Sequence, residues 1–257
     1  MVVEGIDISY IQGNIDYEQI DKNEVNFVMM RIGYRGYGNG QIVEDKFFVR
    51  NLKGCLMYNI PFGIYFFSQA KNEQEGREEA KWIIDKIKSY KIQYPIVIDT
   101  EESGHINGNG RADNISPADR TMAVIGFCDE LERNNYYAAI YCSESWYKNK
   151  LLPYKLLAYD VWVANWNKKP AGTYYGMWQY SSKGRRKGIS VDVDLNRAYK
   201  DYPSLMETYS LNNYGGNITT YDVKVFGLNE YQFNEVIEFL KSKGISHESK
   251  VSNNGIE

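Results

Sequence analysis

The chain has 257 residues, of which 43% are apolar and 25% charged, and its net charge at pH 7 is −3. This composition is that of a folded globular protein and excludes a disordered chain, and the length fits one barrel of roughly 200 residues plus a small appendage. A nucleic-acid binder is also excluded because no basic stripe is present; the one basic cluster, KGRRK at 183–187, is interpreted as a solvated loop.

The first half of the chain alternates short apolar runs with helical patterns. Asn14 or Asp16 is predicted to cap a short helix after the first strand. Ser116 followed by Pro117 predicts the start of a later helix that runs to about Arg133. The remaining predicted elements of this half are strands at 2–8, 26–33, 61–67 and 94–101 and helices at 45–59 and 73–90.

The second half is richer in strands, with predicted connections that shorten after the fifth strand. The strands are predicted at 136–142, 160–165, 174–180 and 190–195. Several strands are apolar on both faces, which predicts parallel strands covered by helices. We therefore predict an α/β fold, an irregular TIM-like (β/α)5(β)3 barrel.

The character of the sequence changes near residue 209. We predict a barrel over residues 1–208, a linker over 209–219 and a small C-terminal α+β module over 220–257. The module is βαβ-like: its predicted elements are a strand at 221–227, a helix from Asn229 to Gly244 and a strand at 245–251. So small a unit rarely buries enough apolar surface alone, so packing on the barrel or homo-oligomer formation is expected.

Cysteine and histidine content argues against a zinc site. Cys55, Cys128 and Cys142 are odd in number and form no CxxC motif, and only His105 and His247 accompany them. Three reduced, buried thiols are expected. The N-terminus lacks the features of a signal peptide and no stretch of about 18 apolar residues occurs, so we expect synthesis in the cytoplasm and no membrane span.

Carboxylates gather at strand ends. Asp99 and Glu101 end the fourth strand two residues apart, which places them on one face. Asp7 ends the first strand, and Asp192 and Asp194 are predicted on a shared face of the last strand. A single strand-end aspartate often caps the following turn, and cation pairing is the alternative for Asp99 and Glu101, but several carboxylates converging on one barrel rim predict an active site. Mutual repulsion would raise one pKa, as a general acid for glycoside cleavage needs.

Six motifs occur in order along residues 5–196. They are GIDIS, MRIGYRGYGNG, PFGIYFFSQA, PIVIDTE, VWVANW and MWQYSS…VDVDLN. In this order and spacing they resemble the family 25 glycoside hydrolase lysozymes, the Chalaropsis-type muramidases of many phage endolysins and some bacteria and fungi. The resemblance implies cleavage of the β-1,4 bond between N-acetylmuramic acid and N-acetylglucosamine in bacterial peptidoglycan, with no metal or organic cofactor.

The resemblance also implies roles for individual residues. Glu101 resembles the general acid, and Asp99 the neighbouring carboxylate that orients or stabilises. Asp7 matches the carboxylate at the floor of the cleft and Asp194 the last-strand aspartate, while Asp192 is a neighbour with which roles could be exchanged. The substrate-binding set implied beside Asp192 is Arg31, Tyr65, Trp166, Trp178 and Gln179. For the aromatic residues, core packing is the alternative.

Several alternatives are open. Retaining, inverting and substrate-assisted routes all use such carboxylates; we favour the route in which the substrate's N-acetyl group attacks and Asp99 holds it. A chitinase-like barrel would carry a longer D-x-x-D-x-D-x-E run, and a non-catalytic peptidoglycan-binding barrel would have lost a carboxylate. By analogy with endolysins, the enzyme acts on the wall after release, and residues 217–257 bind the wall, self-associate or cover the barrel.

Overall fold

The computed structural model describes residues 2–104, 109–172, 174–215 and 230–242. The described residues form nine strands: β1 (Val3–Ile8), β2 (Phe27–Arg35), β3 (Ile42–Glu44), β4 (Phe62–Phe67), β5 (Ile96–Asp99), β6 (Ala138–Ser143), β7 (Asp160–Ala164), β8 (Met177–Gly184) and β9 (Val193–Ala198). The helices are α1 (Phe48–Met57), α2 (Glu73–Ile87), α3 (Pro117–Arg133), α4 (Glu144–Lys150), α5 (Tyr202–Thr208) and α6 (Glu230–Ser242).

Eight of the strands close into a barrel. The order around it is β1-β2-β4-β5-β6-β7-β8-β9, and β9 pairs again with β1. Strands β1 to β8 of this ring are parallel, but β9 is antiparallel to both neighbours because a hairpin rather than a crossover helix joins it to β8. The α/β barrel prediction is confirmed, with a mixed rather than all-parallel sheet.

The antiparallel last strand has a consequence for the rim. In the other strands the C-terminal ends reach the upper rim, whereas β9 begins there. A residue near the start of β9 therefore meets residues near the end of β1. The strand β3, which the sequence did not predict, pairs with β2 outside the ring through Gly33 and Glu44.

Apolar side chains form two layers, one inside the barrel and one between barrel and helices. The inner layer includes Phe27, Met29, Val97 and Trp162, all fully buried. The outer layer holds the branched aliphatic residues of the strands against α1, α2 and α3. Strands that are apolar on both faces follow directly from this arrangement.

Helix starts follow the predicted capping chemistry. Ser116 Oγ accepts a hydrogen bond from Asp119 N at 3.1 Å, and Pro117 opens α3. Asp16 caps a short 3-10 turn, Tyr17–Gln19, where the sequence predicted a short helix.

The helix α5 closes the lower end of the barrel, and the sequence did not predict it. Tyr202 donates a hydrogen bond to Asp160 Oδ2 at 2.7 Å, and Met206 packs into the inner layer. The chain then stays on the barrel: fully buried Asn212 donates to Tyr94 O at 2.9 Å and accepts from Tyr137 N at 2.8 Å. The predicted linker over 209–219 therefore begins too early, because an asparagine side chain there replaces strand hydrogen bonds.

The chain divides into two compact units, Met1–Ile218 and Thr219–Glu257. In the second unit the structure describes α6, within the predicted helix from Asn229 to Gly244; the strands predicted at 221–227 and 245–251 lie outside the described residues. No described helix is long and apolar enough to cross a bilayer. The three cysteines are all buried.

Candidate active site

A cavity of about 180 Å³ opens at the upper rim of the barrel. Seven of the ten predicted site residues line it. Its lining consists of Asp7, Ser9, Ile11, Gln12, Arg31, Tyr65, Phe67, Asp99, Glu101, Tyr141, Trp162, Gln179 and Asp194. A cavity of this kind at the C-terminal ends of parallel strands is where barrel enzymes carry their chemistry.

Strand geometry brings the four carboxyl groups together. Asp99 is the last residue of β5 and Glu101 follows two positions later, so both extend the inward face that begins at Val97. Asp7 on β1 is the direct register partner of Asp194 on β9. Side chains so opposed in an antiparallel pair share one face, with Cβ atoms about 5 Å apart.

Of the four carboxyl groups, that of Asp7 is held most firmly by hydrogen bonds. Its Oδ2 accepts hydrogen bonds from Gln179 Nε2 at 3.0 Å and from Asn196 Nδ2 at 2.8 Å. Burial and the adjacent charge of Asp194 nevertheless raise the pKa of Asp7 well above its ordinary value. The side chain is 5% exposed, so an isolated carboxylate there would be costly to desolvate.

Asp7 and Asp194 affect each other's pKa. Burial raises the pKa of Asp194 as well, whereas the contact between the two carboxyl groups lowers the pKa of Asp194 and raises that of Asp7. The protonated form is therefore favoured more strongly on Asp7 than on Asp194.

Asp99 is as buried as Asp7 but has fewer hydrogen bonds. It is 3% exposed, and its Oδ1 has no hydrogen-bond partner among the described residues. Burial, followed by the charge of Glu101, raises the pKa of Asp99 well above its ordinary value, while Arg31 opposes the shift. An acceptor left unsatisfied in a cavity wall is available to a donor on a ligand.

The pKa of Glu101 suits an acid catalyst. Burial, and next the charge of Asp194, raise its pKa to about 7. Its side chain is only partly covered, so it can reach a ligand in the cavity. A carboxylic acid that keeps its proton near neutral pH can protonate a leaving-group oxygen.

Arg31 is the cation of the cavity wall, and buried Asp45 holds it. The guanidinium Nε and Nη2 each lie 2.8 Å from Asp45 Oδ2, which also accepts a hydrogen bond from Tyr10 N. The rings of Tyr10 and Tyr34 lie 4.9 and 5.6 Å from the guanidinium carbon. Arg31 is therefore held rigidly where it moderates the pKa of Asp99.

Gln179 links the floor of the cavity to its mouth. While its Nε2 donates to Asp7, its Oε1 accepts from Tyr141 Oη and from Trp166 Nε1, each at 3.0 Å. Trp166 is 57% exposed, so its ring is available to a ligand at the edge of the cavity. Tyr65 lies inside, edge-on to the ring of Trp162 at 5.9 Å.

Two predicted site residues lie elsewhere. Asp192 precedes β9 rather than sharing the face of Asp194, and its exposed carboxylate pairs with Arg185 at 3.0 Å. Trp178 lies on the outer face of β8, where its indole N–H donates to Asn165 O at 2.9 Å. Adjacent residues of a strand face opposite sides, so Trp178 and Gln179 could not both line the cavity.

The sequence missed several residues of the site. Tyr141 and Trp162 line the cavity, and Trp162 Nε1 donates to Asn196 Oδ1 at 2.9 Å. Alternation along β6 and β9 could have identified Tyr141 and Asn196. Ser9 and Gln12 form a capping box on the 3-10 turn after β1, which no strand pattern reveals.

Fold and site together define the class of protein. One carboxyl group of the cavity has a pKa near 7, and it lies beside further carboxyl groups and aromatic walls. An enzyme that cleaves glycosidic bonds by acid catalysis requires such an arrangement. The sequence model described as Glycosyl hydrolases family 25 matches residues 6–189. The chain belongs to this family and is a glycoside hydrolase of the lysozyme type.

Individual relatives agree with this assignment. Lysozyme M1 of Streptomyces globisporus is 25% identical over 206 residues, covering 76% of this chain and 67% of that protein. The autolysin LytC of Streptococcus pneumoniae, solved with a synthetic peptidoglycan ligand, has a TM-score of 0.68 and 30% identity over 77% of this chain. This chain spans only 47% of the LytC chain. The Streptomyces coelicolor lysozyme shares the fold, with a TM-score of 0.68, 22% identity and coverage of 83% and 98%.

Proposed function

We propose that the protein is an N-acetylmuramidase that hydrolyses the β-1,4 bond between N-acetylmuramic acid and N-acetylglucosamine in bacterial peptidoglycan. The observation that carries the proposal is the raised pKa of Glu101, about 7, in a cavity that contains three further carboxyl groups. Family membership supports the substrate class. Sequence similarity to lysozyme M1 points the same way.

Glu101 is proposed as the general acid. It would protonate the glycosidic oxygen as the bond breaks, and positive charge would develop at the anomeric carbon of the muramoyl residue. Negative charge on the Asp7–Asp194 pair would stabilise that positive charge from the cavity floor. Loss of the proton from Glu101 would leave a carboxylate able to activate the incoming water.

Asp99 is proposed to hold the substrate's N-acetyl group. Its buried, unpartnered Oδ1 is suited to accept a hydrogen bond from the acetamido N–H, which would orient the acetamido oxygen toward the anomeric carbon. Positive charge spreading onto the acetamido group would favour the ionised form of Asp99. Detection of a glycosyl ester on Asp99 by mass spectrometry of trapped enzyme would instead establish direct nucleophilic attack.

Release of new reducing ends from purified peptidoglycan tests the activity, with chitin oligomers as the comparison substrate. We expect cleavage of peptidoglycan and little cleavage of chitin, because the N-acetylmuramoyl residue is part of the proposed recognition. Faster cleavage of chitin would favour the chitinase-like alternative. Binding of peptidoglycan without any cleavage would favour a non-catalytic barrel.

The proposed setting is the bacterial wall after the enzyme's release from the cytoplasm, as in host lysis by a phage. Motif similarity to a family that includes phage endolysins supports this setting. For residues 217–257 we propose wall binding or self-association. Deleting them and measuring both pelleting with peptidoglycan and oligomeric mass distinguishes these roles from simple coverage of the barrel.

A further inference from the structure

A row of cations and aromatic rings leads from the cavity to the start of α1. We call it the basic ledge and define it as Tyr10, Arg31, Lys46, Phe47 and Arg50. Arg31 lines the cavity, and its guanidinium carbon lies 4.9 Å from the Tyr10 ring centroid. Lys46 Nζ lies 4.9 Å from the same centroid and 5.8 Å from that of Phe47. The guanidinium carbon of Arg50 lies 6.0 Å from the Phe47 ring.

These distances make the ledge continuous with the active site. Lys46 and Arg31 share the Tyr10 ring, so the two cationic groups lie within about 10 Å of each other. Ile11, the residue after Tyr10, itself lines the cavity and is 61% exposed. A sugar in the cavity would therefore carry its substituents over or beside the ledge.

The outer two cations are available to a ligand. Lys46 and Arg50 are exposed, and neither pairs with any carboxylate within the described parts of the chain. Arg31, by contrast, is neutralised by Asp45. In a chain of net charge −3, residues 46–72 contain no aspartate or glutamate. Lys46 and Arg50 therefore present two positive charges beside the Arg31–Asp45 pair.

The start of α1 brings Lys46 and Arg50 together. Asp45 holds this end of the helix, because its Oδ1 accepts a hydrogen bond from Phe47 N at 2.9 Å and its backbone oxygen accepts one from Phe48 N at 2.9 Å. The Lys46 Nζ and the Arg50 guanidinium carbon lie 5.8 and 6.0 Å from the Phe47 ring centroid, so the two cations are close enough to contact one ligand.

We propose that the basic ledge binds the free carboxylates of the peptide stem attached to the muramoyl residue. This inference rests on the proposed function, because it concerns the substrate of the same site. The glycan strand itself is uncharged apart from its substituents, whereas the stem begins on the muramoyl lactyl group and carries carboxylates. Lysine and arginine bind carboxylates by charge-assisted hydrogen bonds, and the adjacent rings leave room for the aliphatic parts of the stem.

The test uses one peptidoglycan preparation in two charge states. Wall polymers are removed with hydrofluoric acid, and half of the material is converted to stem amides with a carbodiimide and ammonia. KM and kcat are measured for the full-length wild type and for Lys46→Gln/Arg50→Gln. The matched control, Lys22→Gln/Lys155→Gln, removes two exposed lysines from segments that lead into the lower end of the barrel.

We expect amidation to raise the wild-type KM about fivefold, the size of two exposed charge contacts, and to leave kcat unchanged. The ledge variant should have this raised KM on the free-acid material and no further rise on the amide. The control should behave as wild type. The wild-type preference for the free acid should weaken with added salt.

Three results would overturn the inference. One is a wild-type KM that amidation does not change, which is decisive whatever the variant does. Another is a ledge variant that retains the wild-type response to amidation. The third is a KM that is raised in the ledge variant only on peptidoglycan that keeps its wall polymers. That result would identify a polymer phosphate as the ligand. A wild type that releases no reducing ends from either material contradicts the proposed function itself.

Discussion

Asp7 and Asp194 face each other across the antiparallel pair formed by β1 and β9. The register places two carboxyl groups on the same inward face, where burial raises the pKa of both groups and the charge of Asp194 further raises the pKa of Asp7. Because β9 runs opposite to the other strands, a residue at its start completes a cluster formed by residues at the ends of β1 and β5. Burial, and next the charge of Asp194, raise the pKa of Glu101.

Replacing Glu101 removes the proposed acid. Glu101→Gln should lower kcat by about a hundredfold to ten-thousandfold, the usual contribution of a positioned acid, with little change in KM. Glu102→Gln is the matched control, because Glu102 is the next carboxylate in the chain and is exposed. Steady-state assays on soluble muropeptides measure both. Near wild-type turnover in Glu101→Gln would remove the role assigned to Glu101.

The pH dependence of the wild type should follow the same group. A general acid works only when protonated, so kcat/KM should fall as pH rises through about 7, the pKa of Glu101 in the free enzyme. A pH–rate profile at constant ionic strength tests this. Activity that rises through this range would be inconsistent with acid catalysis by Glu101.

The profile should move when Asp194 is neutralised. The charge of Asp194 raises the pKa of Glu101, so Asp194→Asn should shift the decline in kcat/KM to lower pH. Asp192→Asn is the control, since Asp192 lies outside the cavity and pairs with Arg185. If the decline in kcat/KM shifts in the Asp192 variant and not in the Asp194 variant, then Asp192 rather than Asp194 raises the pKa of Glu101.

The Glu101 carboxyl group should lower the stability of the folded protein at high pH. The folded-state pKa of Glu101 is raised from 4.5 to about 7, so its favourable contribution is complete below 4.5 and is lost as pH rises through 7. Glu101→Gln should therefore have a higher Tm than wild type at pH 8, and this advantage should shrink toward pH 4.5. Thermal unfolding at several pH values measures it; a constant difference would mean that the titration is not coupled to folding.

Two tryptophans should separate binding from stability. Trp166→Ala should raise KM about fivefold, the worth of one aromatic contact, because the exposed ring stands at the cavity mouth. Trp178→Ala should leave KM unchanged but lower the free energy of unfolding by about 2 kcal/mol, because its half-buried ring packs outside the barrel. Kinetics and denaturant unfolding of both variants decide between these roles and their reverse.

Period-2 alternation explains why part of the site is predictable from sequence. Asp99 and Glu101 follow a doubly apolar strand, and strand ends in such barrels meet at one rim. Asp7 is found by the same reasoning. The helix starts at Ser116 and Asp16 also follow from local patterns, since caps are properties of neighbouring residues.

The rest depends on contacts between distant segments. The face of β8 that turns inward is set by pairing with β7 and β9, so the sequence could not choose between Trp178 and Gln179. The start of β9 at Val193 decides that Asp192 lies outside the cluster. Asn212 holds part of the predicted linker through hydrogen bonds to residues more than 70 positions away. No local pattern contains such information.

Reducing-end analysis of digested peptidoglycan tests the central claim most directly. Purified peptidoglycan is digested, reduced with borohydride and hydrolysed, and the sugar alcohols are identified by mass spectrometry. A muramidase generates new reducing ends on N-acetylmuramic acid, and we predict that these appear with wild type and not with Glu101→Gln. New reducing ends on N-acetylglucosamine would contradict the account. So would the absence of any new reducing ends after digestion with folded protein.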